Sequence, residues 1–130
     1  MWYLASPYSD QDESVMLNRF DWVTELASRL MRAGVFLFSP ITHSHPIAQY
    51  GLPKGFEFWE RFDRWLLERS CGVIVCQFPG WDRSIGVQNE IRIARELGID
   101  VLFLPYDGMW DVDALVSKLA DVENRKAING

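Results

Sequence analysis

Two carboxylates stand where apolar side chains are expected. In "PGWDRSIGVQNEIRIARELG" (Pro79 to Gly98), Val87, Ile91, Ala94 and Leu97/Gly98 fall three or four apart. That spacing is the apolar stripe of a helix beginning at Ser84. Glu90 lies inside the stripe, three residues after Val87 and four before Ala94. A carboxylate does not sit on the buried side of a helix without a large desolvation penalty unless something there needs it. Asp63 is the second case: Trp59 is four before it and Leu66 three after it, so it too borders apolar surface. Carboxyl groups in such surroundings are candidates for nucleophilic attack and general acid work. Structural readings stand beside these. Glu90 in the first turns of a helix favourably meets the helix dipole, and Asp63 could pair with Arg61 or Arg83.

The elements that must position the two carboxylates follow from hydrophobic periodicity. "WYLA" (Trp2–Ala5) reads as a first strand, closed by the turn-like "SPYSD". Val15, Phe20, Val23, Leu26/Ala27 and Leu30 mark a helix ending at Gly34 as its cap. "VFLF" (Val35–Phe38) is a second strand. "SPITHSHPIAQYGLPKG" follows, with three prolines and two histidines, and reads as a long irregular stretch. A helix runs from about Phe56 to Arg69. "GVIVCQF" is a third strand whose unbroken apolar run suits burial on both faces. After the Ser84 helix come "VLFL" (Val101–Leu104) and a last amphipathic helix in "DVDALVSKLADV", with Val112, Leu115/Val116 and Leu119 inward. The tail "ENRKAING" is polar. This alternation predicts a three-layer α/β domain of the Rossmann or flavodoxin-like kind, with right-handed crossovers and a parallel sheet of four to five strands.

In such a sheet, ligands bind beyond the carboxyl ends of the strands, where the strand order reverses. Here that edge comprises "SPYS", "SPITHSHP" and "PGWDRS". The Glu90 stripe therefore faces the sheet near this edge and looks into a crevice. Other polar groups converge there. Ser84 is a good N-cap, and the helix start it caps suits an anion, with Gly86 leaving room. Tyr3 ends the first strand, and Ser6, Tyr8 and Ser9 lie in the loop beyond it. Tyr3 can equally be core, and Ser84 only a cap. His43 and His45, two apart, could suggest a metal, but no Cys, His or carboxylate cluster completes a site. No metal and no cofactor is expected. The six tryptophans read first as core and interface.

Composition narrows the classes. A chain of 130 residues makes one domain, residues 1–130, and its 48% hydrophobic and 24% charged content is that of an ordinary globular protein. A net charge of −5 argues against general nucleic-acid binding, while leaving room for a small anion held at one point. No apolar run approaches the roughly 20 residues of a membrane span. The opening "MWYLASPYS" shows no charged leader, and Cys71 and Cys76, five apart, would face opposite sides of a strand and stay unbonded. A reduced cytoplasmic protein is expected.

Taken together, "YLASPYS" at the start, an Asp in the helix before the third strand, and "S-x-G-x-x-x-E" opening the next helix resemble the nucleoside 2-deoxyribosyltransferase superfamily. The match spans roughly Trp2 to Leu104. The closest activity is that of the 2′-deoxynucleoside 5′-phosphate N-hydrolases, whose "S-x-G-V-x-x-E" is met by Ser84, Gly86, Val87 and Glu90. The "PGW…S-x-G" form and "SHPI" look still more like a small uncharacterised bacterial and phage branch of that superfamily. The resemblance implies cleavage or transfer of the N-glycosidic bond of a nucleoside or nucleoside 5′-monophosphate. It implies Glu90 as the carboxylate beneath the sugar, Asp63 as the acid handling the base and sugar hydroxyl, and Tyr3 as the tyrosine beside them. Ser84 would contact phosphate. Ser6, Gly86 and His45 would line the substrate, and Tyr8, Trp59, Phe38 and Trp81 are stacking candidates.

The chain departs from the hydrolases in two places: its first loop, "SPYSDQDES", is acidic rather than glycine-rich and arginine-containing, and Cys71-Gly72 replaces an acid before the third strand. The transferases use a chain-terminal Asn or carboxylate from a neighbouring subunit, and Asn129 could imitate it. A homodimer or larger assembly is expected, from the 14% aromatic content and from this sharing of sites. The alternative from a different class is a non-catalytic nucleotide-binding or sensing module that keeps the pocket without turnover.

Overall fold

The computed structural model describes residues 1–53, 55–106 and 111–129, with Asn129 by its backbone alone. Four strands, β1 (Trp2–Ala5), β2 (Leu37–Phe38), β3 (Gly72–Gln77) and β4 (Asp100–Pro105), form one sheet in the order β2-β1-β3-β4, and every pairing is parallel. Among the described residues five helices flank it: α1 (Glu13–Arg32), α2 (Pro40–Ala48), α3 (Phe56–Glu68), α4 (Ile85–Leu97) and α5 (Val112–Asn129). A short 3-10 turn, Trp81–Arg83, precedes α4. The order reverses between β1 and β3, where the doubly wound fold opens its crevice.

Alternation along the strands builds two cores, as the pleat requires. Trp2, Leu4, Ile74, Cys76, Phe78 and Leu104 pack against α1 and α5 through Val23, Leu26, Leu30, Leu115, Leu119 and Val122. Tyr3, Ala5, Val73 and Val75 pack on the other face against α3 and α4 through Leu66, Leu67, Val87, Ile91 and Ala94. Gly72 is dictated by the first core. A Cβ there would lie 2.4 Å from the Trp2 ring and 2.9 Å from the Asp100 carbonyl oxygen.

Four expectations are corrected. The proline-rich stretch after β2 is not wholly irregular, because Pro40–Ala48 is helical. Ser39 caps it by accepting from the Thr42 N–H at 3.2 Å. Pro40 stands at the first position, where a missing N–H is harmless, and Pro46 falls in the last turn. The second strand shrinks to Leu37–Phe38. Leu97, assigned to the buried stripe, is 37% exposed, since α4 has left the sheet by its last turn. The polar tail continues α5 to Asn129, with Val122 buried and Lys126 donating to the Cys71 carbonyl. Cys71 and Cys76 are both free.

Candidate active site

Glu90 sits in the second turn of α4, on the face turned to the sheet, and is 8% exposed. Ser84 starts the helix, its hydroxyl accepting from the Val87 N–H at 3.2 Å. That cap sets the helix phase, and the phase puts Glu90 among Val87, Ile91 and Ala94. Asp63 reaches the same place from α3. The two helices are tied on their outer sides by Arg92 with Glu60 (3.9 Å) and by Arg64 with Glu96 (3.6 Å), while Arg92 also pairs with Glu96 within α4 (2.7 Å). These exposed pairs are individually weak. Among the described residues neither Asp63 nor Glu90 makes an ion pair, so pairing of Asp63 with Arg61 or Arg83 is not found.

Tyr3 completes the group from β1. It lies second in the strand rather than at its end, and its length carries the hydroxyl to the two carboxyls. The ring is fully buried. Its hydroxyl closes no hydrogen bond of full geometry, yet it acts on both carboxyls at hydrogen-bonding range. Tyr3 is therefore core in its ring and part of the site in its oxygen.

Electrostatics follow from burial. Desolvation raises the Asp63 carboxyl to about 7, partly offset by the Tyr3 hydroxyl. Desolvation first, and then repulsion from Asp63, hold Glu90 well above its ordinary value, again with Tyr3 acting in the opposite sense. Tyr3 itself is pushed well above 10 by burial and by the negative charge of Glu90 and Asp63. Two carboxyls this close cannot both ionise freely, so the group retains a proton near neutral pH. Pairs of titratable groups with divided protonation mark sites of acid–base chemistry.

The remaining residues named from sequence fall into three places. Ser6, just past β1, is buried, and its hydroxyl has no partner. A buried hydroxyl without a partner forfeits about 1–3 kcal/mol, so Ser6 is poised for a ligand or a water. Trp81 packs on the α3–α4 core, 5.8 Å from the Phe103 ring. Gly86 stands in the first turn of α4, where a Cβ would meet only the Ser84 hydroxyl, at 3.9 Å, so the helix start is open. Tyr8 and His45 form a second cluster beside α1. The Tyr8 hydroxyl bonds His45 Nδ1, and Phe20 stacks on the imidazole at 4.3 Å. Trp59 is engaged elsewhere, donating to the Pro53 carbonyl at 2.8 Å with its ring edge-on to Phe58. The side chain of Asn129 lies outside the described residues. Among the described residues no group of three or more His, Cys, Asp or Glu could hold a metal ion.

Three residues were not read from the sequence as part of this region. Phe62 adjoins Asp63 in α3 and joins Phe38 (6.4 Å) and His43 (5.8 Å) in an aromatic wall on the Tyr3 side of the sheet. The stripe Phe58–Phe62–Trp65, at spacings of four and three, was the available signal. Cys76 lies on the opposite face of β3, where burial, and then the Glu90 charge, raise its thiol pKa. Arg19, from α1, reaches the loops after β1 and β3. Its sequence position, mid-helix and polar, gave no hint of this.

Chemically, the group offers a carboxyl that can become a nucleophile, a second that can carry a proton near neutral pH, and a hydroxyl between them. No curated protein matches the chain. A family model described as "Domain of unknown function (DUF1937)" matches residues 1–107, which span β1 to β4 and every residue of the carboxyl group. The chain belongs to the DUF1937 family.

Proposed function

We propose that this crevice cleaves, or transfers across, the N-glycosidic bond of a nucleoside or nucleoside 5′-monophosphate. The observation that carries the reading is the largely buried Asp63–Tyr3–Glu90 group at the strand-order reversal, unneutralised by any described cation. Glu90 acts on C1′. As the C–N bond breaks, its electron pair leaves with the base, and positive charge grows on the sugar. The Glu90 carboxylate stabilises that charge or bonds to C1′ as an ester. Asp63, titrating at about 7, protonates the departing base nitrogen. Water, or a second base in a transferase, then takes the sugar, with the Asp63 carboxylate accepting the proton of the attacking group.

Glu90 must be ionised to act, and in the free protein burial and the neighbouring Asp63 both oppose its charge. The Tyr3 hydroxyl resolves this: it accepts the Glu90 proton and donates its own to Asp63. One exchange makes the nucleophile and arms the acid. A 5′-phosphate would lie at the open start of α4, against free N–H groups, Ser84 and Gly86.

The experiment is a panel of nucleosides and 5′-monophosphates, with free base followed by chromatography. Base release from at least one member, lost in Glu90→Gln, is the expected result. Binding across the panel without release from any member would leave a nucleotide-binding module and end the glycosidic reading.

A further inference from the structure

Arg19 makes contacts unlike those of any other described arginine. It projects from α1, and its guanidinium donates to backbone carbonyls of two loops distant in sequence. Nη1 donates to the Ser9 oxygen at 3.0 Å and the Tyr8 oxygen at 3.3 Å, and Nη2 donates to the Pro79 oxygen at 3.3 Å. Among the described residues no carboxylate lies within ion-pair distance of it. The first loop follows β1 and carries Ser6; the second follows β3 and leads through Trp81 to Ser84 and α4. These are the loops at the ends of the two strands between which the order reverses.

The second loop is shaped to admit the guanidinium. Gly80 has φ of 94°, a left-handed conformation that L side chains rarely take, and a Cβ there would lie 2.6 Å from Arg19 Nη2. The left-handed backbone requires glycine at this position, and an added Cβ would displace only the movable end of Arg19. A flat fork can serve three carbonyls at once; a lysine ammonium, a point charge on a flexible stem, cannot span them in the same geometry.

We propose that Arg19 is a positioning residue that clips the β1 and β3 loops together and thereby fixes the opening through which substrate reaches the carboxyl group. The arginine touches no reacting atom. It acts through Ser6 and Tyr8 on one wall and the start of α4 on the other. The proposal extends the glycosidic reading by naming what holds the crevice in register.

The test uses the full chain with Arg19→Ala, Arg19→Lys and Gly80→Ala. Amide hydrogen exchange in the free protein is read over residues 6–12 and 78–84. In Arg19→Ala both segments should exchange about tenfold faster or more, while β1, β3 and α4 beyond its first turn keep the parent rates. Arg19→Lys should fall between, and Gly80→Ala, which pushes the guanidinium off Pro79, should loosen the second segment. With the best substrate from the nucleotide panel, Arg19→Ala should raise KM about tenfold and leave kcat within about threefold. Unchanged exchange in both segments overturns the proposal. So does faster exchange spread evenly over the chain, which would make Arg19 only a general stabiliser, or a loss confined to kcat. If the parent releases no base from any substrate, the glycosidic reading fails, and the exchange arm still decides the role of Arg19.

Discussion

At the scale of single residues, the protons on Asp63 and Glu90 connect stability to chemistry. Both folded-state values are raised, to about 7 for Asp63 and well above the ordinary value for Glu90. The unfolded chain releases these protons above about pH 4, whereas the folded chain keeps them. The folded state therefore loses stability as pH rises from about 4 toward 7, and further for Glu90. Glu90→Gln keeps the shape and removes the titration. At pH 7 the variant should be as stable as the parent or more stable by roughly 0.5–2 kcal/mol, with the gap closing toward about pH 4. Base release should fall by several orders of magnitude. Melting curves across this pH range, beside turnover, check both. A dipole role would give the reverse: a loss of about 0.3–1 kcal/mol with turnover intact. Asp63 makes its own prediction. The exchange through Tyr3 needs an ionised Asp63 to receive the proton, so kcat/KM should rise as pH climbs through about 7, where the pair loses its first proton. Asp63→Asn should lower the rate by about 10²–10⁴-fold and abolish that limb of the profile. A pH–rate profile unchanged in Asp63→Asn would remove it from the acid role.

At the scale of elements, α4 carries the site because its first turn does two things. Ser84 caps the helix, and the uncapped N–H groups beside Gly86 face open space. Ser84→Ala should lower stability by about 1 kcal/mol through the lost cap. If the helix start holds phosphate, the same change should weaken a nucleoside 5′-monophosphate more than its nucleoside. Titration calorimetry with both ligands decides; equal weakening would confine Ser84 to capping. The phase of α4 was legible because a period of three to four is a local property, and Glu90 interrupted it visibly. Helix α2 was less legible. Its capping serine and first-position proline are start signals, but Pro46 and the prolines around it masked them.

At the scale of the whole molecule, α3 presents an exposed aromatic face, with the Arg69 guanidinium 3.9 Å from the centre of the Trp65 ring. Phe58 is 48% exposed and Trp65 51%, and with Arg61 and Phe62 they line a shallow, open depression on the surface. The stripe is self-complementary. Two copies of α3 crossing antiparallel about a twofold axis near Phe62 would set Phe58 of one against Trp65 of the other, the isologous pattern of a cyclic dimer. Asp63 lies on the same helix, so such a contact would sit beside the site. A mass of twice 15.1 kDa is expected by light scattering at micromolar concentration, and Trp65→Glu should return it to a single chain. A parent that stays at single-chain mass would leave the aromatic face without this role.

The sequence by itself determined the layered α/β plan, the apolar stripes and the placement of Glu90 within one of them. These depend on spacing along the chain, and burial of one face follows from spacing whatever the neighbours are. It also marked the cap at Ser84 and the left-handed glycine that closes α1, Gly34, with φ of 91°. Only the tertiary structure decided that Tyr3, Asp63 and Glu90 meet, since three residues from three elements converge only once the strands are ordered and α3 is docked on α4. It alone paired Tyr8 with His45, and turned Trp59 to the Pro53 carbonyl. It alone brought Arg19 across to Pro79, sixty residues away in the chain. The raised carboxyl of Asp63 belongs to the same class. Desolvation is a property of everything packed around a group, and no window of sequence contains it.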